Sequence, residues 1–191
     1  MTNDRVEFSP VAGAVGARVS YVDLSQPLEP ETRNAIAEAL GRYGVLFFRD
    51  QDLTPEQHVA MAKSFGPIDT NRFFTPVEGY PDIAEVRKDP EQKKNIGGGW
   101  HTDHSYDTAP ALGSILYARE VPPYGGDTMF ASMYAAYDAL SDGLKQILEG
   151  LSALHSSRHV FGEGRTRDWG DLKGRLRNAE NAVQDAVHPI V

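Results

Sequence analysis

Apolar positions recur at helical spacing in the first third of the chain. Between Glu31 and Tyr43, Ile36, Leu40 and Tyr43 fall on one helical face, and Gly44 breaks the pattern. The run Val45-Leu46-Phe47-Phe48 is short, continuous and apolar, which predicts a buried strand. Thr54-Pro55-Glu56-Gln57 then carries a full helix start: an N-cap threonine, a proline at the first helical position and a capping-box glutamine. The helix it opens presents Val59, Ala62 and Phe65 and stops at Gly66-Pro67. Upstream, Ala17 to Val22 alternates weakly, as a strand does.

The middle of the chain is richer in turns. Pro81 to Arg87 reads as a strand entering a polar loop from Lys88 to Gly99, and Leu112 to Ala118 reads as a second strand. Pro122-Pro123-Tyr124-Gly125-Gly126 is a strong turn signal. Ser132 is placed to cap a helix through Leu140, and Ser141 one that runs to Leu148. Residues 162–186 mix Arg165, Arg167, Lys173, Arg175 and Arg177 with acids, the composition of a lid or surface insertion. Ala186 to Val191 opens like a strand that the chain leaves unfinished, which predicts truncation of a single domain spanning 1–191.

Composition narrows the class. At 191 residues, 40% hydrophobic and 24% charged, the chain has the make-up of one globular domain. A net charge of −8 argues against a nucleic-acid partner, and no apolar run is long enough to span a membrane. The N-terminus lacks an apolar signal core, so a cytoplasmic location is expected. The absence of cysteine removes disulfides, thiol nucleophiles and the usual structural zinc sites.

The candidate chemistry centres on Gly97-Gly98-Gly99-Trp100-His101-Thr102-Asp103-His104. On a strand, positions i and i+2 share a face, so His101 and Asp103 would converge as an imidazole and a carboxylate. Such a pair suits a two-histidine, one-carboxylate metal site; a plain His–Asp hydrogen bond at a strand end is the alternative. His104 would point the other way, toward the surface or the rim of a pocket. His155-x-x-x-His159 has helical metal spacing, but Ser156 stands where a metalloprotease motif needs Glu. His188 reads as a strand-edge residue and His58 as solvent-facing. Gly125-Gly126-Asp127-Thr128 is a turn whose Thr128 hydroxyl is available to a carboxylate. No G-x-S-x-G elbow or phosphate-binding glycine loop occurs.

Trp100-His101-Thr102-Asp103, with Pro110, Gly113-Ser114-Ile115-Leu116 and Pro122-Pro123-x-Gly125-Gly126-Asp127-Thr128 downstream, resembles the taurine dioxygenase family. The likeness extends through Ala135 to Ser141 and Val187-His188-Pro189, and back to Gly44-Val45-Leu46-Phe47-Phe48-Arg49 and Phe65-Gly66. The family consists of Fe(II)- and 2-oxoglutarate-dependent oxygenases. The resemblance implies a mixed α/β fold with a mainly β core, a double-stranded β-helix (jelly roll) incomplete at its C-terminal end. It implies that His101 and Asp103 are metal ligands and that Thr128 binds the carboxylate of 2-oxoglutarate. The expected activity is hydroxylation of a small organic anion with O2, releasing succinate and CO2.

Two departures accompany it. The family's second histidine ligand and its 2-oxoglutarate-binding arginines lie beyond the Val-His-Pro segment, so they fall outside this chain. Taurine-specific enzymes carry Asn where this chain has Gly97, and Asn71 and Phe74 replace a substrate-contacting His–Tyr pair, while Phe161 matches a pocket aromatic. These changes argue against taurine and make Asn71, Phe74, Gly97 and Phe161 the candidate substrate contacts. The rival readings are a catalytically inactive fragment or small-molecule-binding module that self-associates into a homo-oligomer, and, more remotely, a zinc-type hydrolase.

Overall fold

Residues 5–165, 170–172 and 174–191 are described in the computed structural model, a mixed α/β chain of two units. One unit is Met1–Ile68 with Ile115–Ser141, and the other is Asp69–Ser114 with Asp142–Val191.

In the first unit, β1 (Glu7–Pro10) pairs antiparallel with β2 (Ala17–Ser20), and β2 pairs in parallel with β3 (Leu46–Phe48). A parallel pair needs a crossover, which α1 (Pro30–Tyr43) supplies while burying Ile36 and Ala39. Gly44 closes α1 at φ 69°, a left-handed position that suits glycine, with its N–H on the Leu40 carbonyl. The expected capping box opens α2 (Pro55–Phe65): Gln57 N–H donates to Thr54 Oγ1 at 3.2 Å and Thr54 N–H to Gln57 Oε1 at 2.8 Å. Leu24, Leu53 and Met61 form the core, flanked by Val22, Leu28, Phe48, Phe65 and Tyr117. Gln51 ties this core together: its Oε1 accepts from Leu24 N–H at 2.8 Å, and its Nε2 donates to the Val22 and Arg49 carbonyls. Ser132 caps α3 (Met133–Asp138), which ends two residues before the expected Leu140.

Two expectations fail here. Residues 112–118 form no strand. Among the described residues nothing pairs with them, and the segment is held instead by Tyr117, whose hydroxyl accepts from Leu53 N–H at 3.2 Å. Leu112 and Leu116 are left exposed. His58 does not face solvent: it is half-buried, edge-on to Tyr117, with its Nε2–H donated to the Ile115 carbonyl at 3.3 Å.

In the second unit, β4 (Pro76–Val77) and β5 (Tyr80–Ala84) make a hairpin, so the expected strand from Pro81 ends three residues early. α4 (Asp142–Leu148), β6 (Ser152–Ser156), α5 (Arg158–Phe161) and β7 (Asp185–Pro189) follow. β6 and β7 pair antiparallel with Leu154 opposite Val187, both exposed. β7 realises the strand read at 186–191, whereas β6 has no counterpart in the sequence reading. Phe73 and Ser157 are fully buried, and Ser157 Oγ donates to Gln184 Oε1 at 2.9 Å. Of the charged stretch 162–186, residues 166–169 and 173 lie outside the described residues; Leu172, Leu176 and Ala182 are buried. The described strands form separate sheets of three, two and two. Among the described residues no helix is long and apolar enough to cross a membrane.

Truncating Met61 to alanine removes a core side chain and should cost about 2–5 kcal/mol in urea unfolding. Burial pushes His58 below its ordinary value, against the raising effect of the Ile115 carbonyl. The folded state therefore binds fewer protons than the unfolded one between that lowered value and about 6.5. Stability should be full above this window and fall as pH drops through it, with a shallower pH slope of melting temperature in His58→Gln.

Candidate metal centre

His101 and Asp103 converge, although not on a strand: residues 100–102 are irregular and Asp103 begins a turn. Side-chain hydrogen bonds replace the expected pleat. His101 Nδ1 lies 2.7 Å from the Gly99 carbonyl, which can only accept, so Nδ1 carries the ring hydrogen. Nε2 is then the lone-pair nitrogen of the neutral ring, and it faces Asp103 Oδ1 at 3.3 Å. Ser114 Oγ donates to the other carboxylate oxygen at 3.4 Å. Two acceptors face each other, and either a cation or a second ring hydrogen reconciles them. The spacing fits a cation. Two ligand atoms about 2.1 Å from a first-row metal and at right angles sit about 3 Å apart. A backbone carbonyl on the far ring nitrogen is also the usual support of a metal-binding histidine. Both side chains are more than half exposed, so the pair is open to an incoming ion.

Gly97 makes this geometry possible. It sits at φ 71°, and a Cβ there would lie 3.2 Å from His101 Cε1 and 3.8 Å from Nε2.

Among the described residues a second group, Asp69, His104 and Asp107, brings ligating atoms within 4.8 Å of one another. Its hydrogens are already assigned. Asn71 Oδ1 accepts the Phe73 and Phe74 N–H groups, each at 2.9 Å, so the amide Nδ2 is what faces His104 Nε2 at 3.3 Å. Nδ2 can only donate, so Nε2 accepts and Nδ1 carries the hydrogen, which it gives to Asp69 Oδ2 at 3.1 Å. A protonated nitrogen offers no lone pair to a metal between the carboxylates. Arg72 Nη2 bonds both oxygens of Asp107 at 2.6 Å. Burial works to lower the Arg72 value, and Asp107 more than offsets it, so the net shift is upward. Tyr106 stacks on His104 with ring centres 5.5 Å apart, and burial, reinforced by Asp107, pushes its hydroxyl up to about 12. In this group both ring nitrogens of His104 are engaged in hydrogen bonds. His104 is thus a partly buried structural residue rather than a surface one, and it holds φ 54°, which costs a non-glycine residue about 1–2 kcal/mol. The sequence signal available for it was the cluster of polar residues at 69–72 opposite His104 and Asp107.

Phe161 stacks on Phe73 at 4.2 Å between ring centres, and Phe74 meets it edge-on at 6.4 Å. Asn71, Phe74, Gly97 and Phe161 all belong to the second unit, with His101 and Asp103. Asn71 spends its amide within the protein. Thr128 belongs to the first unit, exposed in irregular chain after Gly125 and Gly126, both at positive φ. The helical spacing of His155 and His159 is not realised: His155 lies in β6 and His159 in α5. His155 meets Ser105 Oγ at 2.9 Å, and His188 in β7 donates Nε2–H to the Asp107 carbonyl at 3.0 Å.

The profile of the taurine catabolism dioxygenase TauD, TfdA family matches residues 7–191. An alpha-ketoglutarate-dependent sulfate ester dioxygenase of Pseudomonas putida is 31% identical over 97% of this chain and 62% of its own length. An alpha-ketoglutarate-dependent 2,4-dichlorophenoxyacetate dioxygenase of Cupriavidus pinatubonensis is 34% identical over 83% of this chain and 62% of its own. The chain thus spans about three-fifths of the length of these curated relatives. The crystal structure of AAD-2 with Mn(II) and N-oxalylglycine matches at TM-score 0.66 and 28% identity, over 98% of this chain and 64% of that one.

Gly97→Ala should cost about 1 kcal/mol or more, since it adds a Cβ at positive φ against the His101 ring. Thermal unfolding measures the cost, and a displaced His101 ring resonance in NMR reports the contact.

Proposed function

Because the chain belongs to the taurine catabolism dioxygenase TauD, TfdA family, we propose that the whole protein is an Fe(II)- and 2-oxoglutarate-dependent dioxygenase. Its reaction is hydroxylation of a small organic anion by O2, with succinate and CO2 as co-products. The observation that carries this reading is the convergence of His101 Nε2 and Asp103 Oδ1, 3.3 Å apart and open to solvent, within a chain of this family. The relatives named above act on sulfate esters and on 2,4-dichlorophenoxyacetate, which supports an anionic substrate rather than taurine alone. The fold of the whole protein is a double-stranded β-helix, of which this chain supplies part.

In this reading, bound Fe(II) supplies the oxidising chemistry and the open positions for co-substrate and oxygen. The chain's own residues set up the centre. The Gly99 carbonyl holds the His101 tautomer, and Ser114 turns the Asp103 carboxylate so that Oδ1 faces Nε2. The Thr128 hydroxyl donates to a carboxylate of 2-oxoglutarate. Phe74 and Phe161 give the substrate an apolar wall, Gly97 leaves room beside the ligand histidine, and Asn71 fixes the segment that carries these aromatics. The partners are small molecules.

Succinate release from 2-oxoglutarate should be measured with Fe(II) and a panel of sulfate esters and phenoxyalkanoates. His101→Ala is expected to lower the rate at least about a hundredfold, beyond what loss of an outer-shell group costs. Equal rates in the two proteins would overturn the assignment.

A further inference from the structure

His104 follows Asp103 directly, yet no atom of its ring is free for a metal. The chain from Gly97 to Asp103 is exposed apart from its local hydrogen bonds, and His104 is the first side chain after it to be largely covered, at 19%. Its ring is gripped from both ends by one segment: Asn71 donates to Nε2 at 3.3 Å, and Nδ1–H reaches Asp69 at 3.1 Å. The turn beyond it is closed by Asp107 N–H on the His104 carbonyl at 2.9 Å and tied to the same segment by Arg72. Tyr106 covers the ring face.

We propose that His104 is a positioning residue for the metal centre. The Asp69–His104–Asn71 clamp fastens the ligand-bearing loop to residues 69–74, and metal affinity depends on it although His104 gives the metal nothing. The proposal rests on the reading of His101 and Asp103 as ligands. The physical basis is preorganisation: a loop fixed one residue from a ligand gives up less freedom when the ion binds. Asp69 and Asn71 each direct one ring nitrogen, so the clamp fixes the orientation of the imidazole as well as its place.

The test is Mn(II) binding to the whole protein, followed by the electron paramagnetic resonance of free Mn(II), with melting temperatures measured alongside. His104→Phe keeps a ring against Tyr106 but can neither donate to Asp69 nor accept from Asn71. It should bind Mn(II) about 10–100-fold more weakly. His104→Asn places an amide N–H near the Nδ1 position and should recover part of that loss. A lowered melting temperature with Mn(II) affinity within about twofold of wild type in His104→Phe overturns the proposal. Should His104→Phe not fold, Mn(II) affinity within about twofold of wild type in Asp69→Ala, which removes the acceptor of Nδ1–H, overturns it equally. His101→Ala separates the two ideas. Undiminished Mn(II) binding there sinks the metal centre itself, whereas binding lost in His101→Ala and kept in His104→Phe sinks only the clamp.

Discussion

One carboxamide, that of Asn71, organises the second unit. Its oxygen takes the N–H groups of Phe73 and Phe74, which bends the backbone so that Phe73 enters the interior and stacks on Phe161. Phe73 has no exposed surface, and leaving such an N–H unpaired in the interior costs about 1–3 kcal/mol. The amide nitrogen, its direction now settled, dictates which nitrogen of His104 holds a hydrogen. Aromatic packing and loop placement therefore share one origin. A directional bond sets both, and apolar burial fills in around it.

Adjacent residues in this chain show that proximity of ligand-type side chains does not make a metal site. Asp69, His104 and Asp107 are close together, but the two ring nitrogens of His104 are taken by Asn71 and Asp69, and Arg72 holds Asp107. His101 and Asp103 form a smaller group, and in the neutral tautomer set by the Gly99 carbonyl their facing atoms both carry unshared pairs. The distinction lies in where each hydrogen must sit. Only the carbonyl on His101 and the amide on His104 reveal it.

Local signals were legible in the sequence and non-local ones were not. The capping box at Thr54, the cap at Ser132 and the stop at Gly44 act within three or four residues, so the chain text contains the whole interaction. The strand read at 112–118 and the missing reading of β6 failed for the same reason. A strand exists through its partner, and apolar alternation does not name one. The spacing of His101 and Asp103 anticipated that the two side chains converge but not how: no strand pleat is present, and Gly97, the Gly99 carbonyl and Ser114 surround the pair instead. The clamp around His104 joins positions more than thirty apart, and only the fold brings them together.

The double duty of Asn71 bears on how this protein can vary. Positions 71 and 104 are epistatic, because replacing the amide changes which hydrogen-bonding face the imidazole must present. A library that randomises the proposed aromatic wall, Phe74 and Phe161, and treats position 71 as one more independent site would mix two effects. Under the proposed function, clones that had merely lost their grip on the ion would be scored as having changed their appetite for substrate.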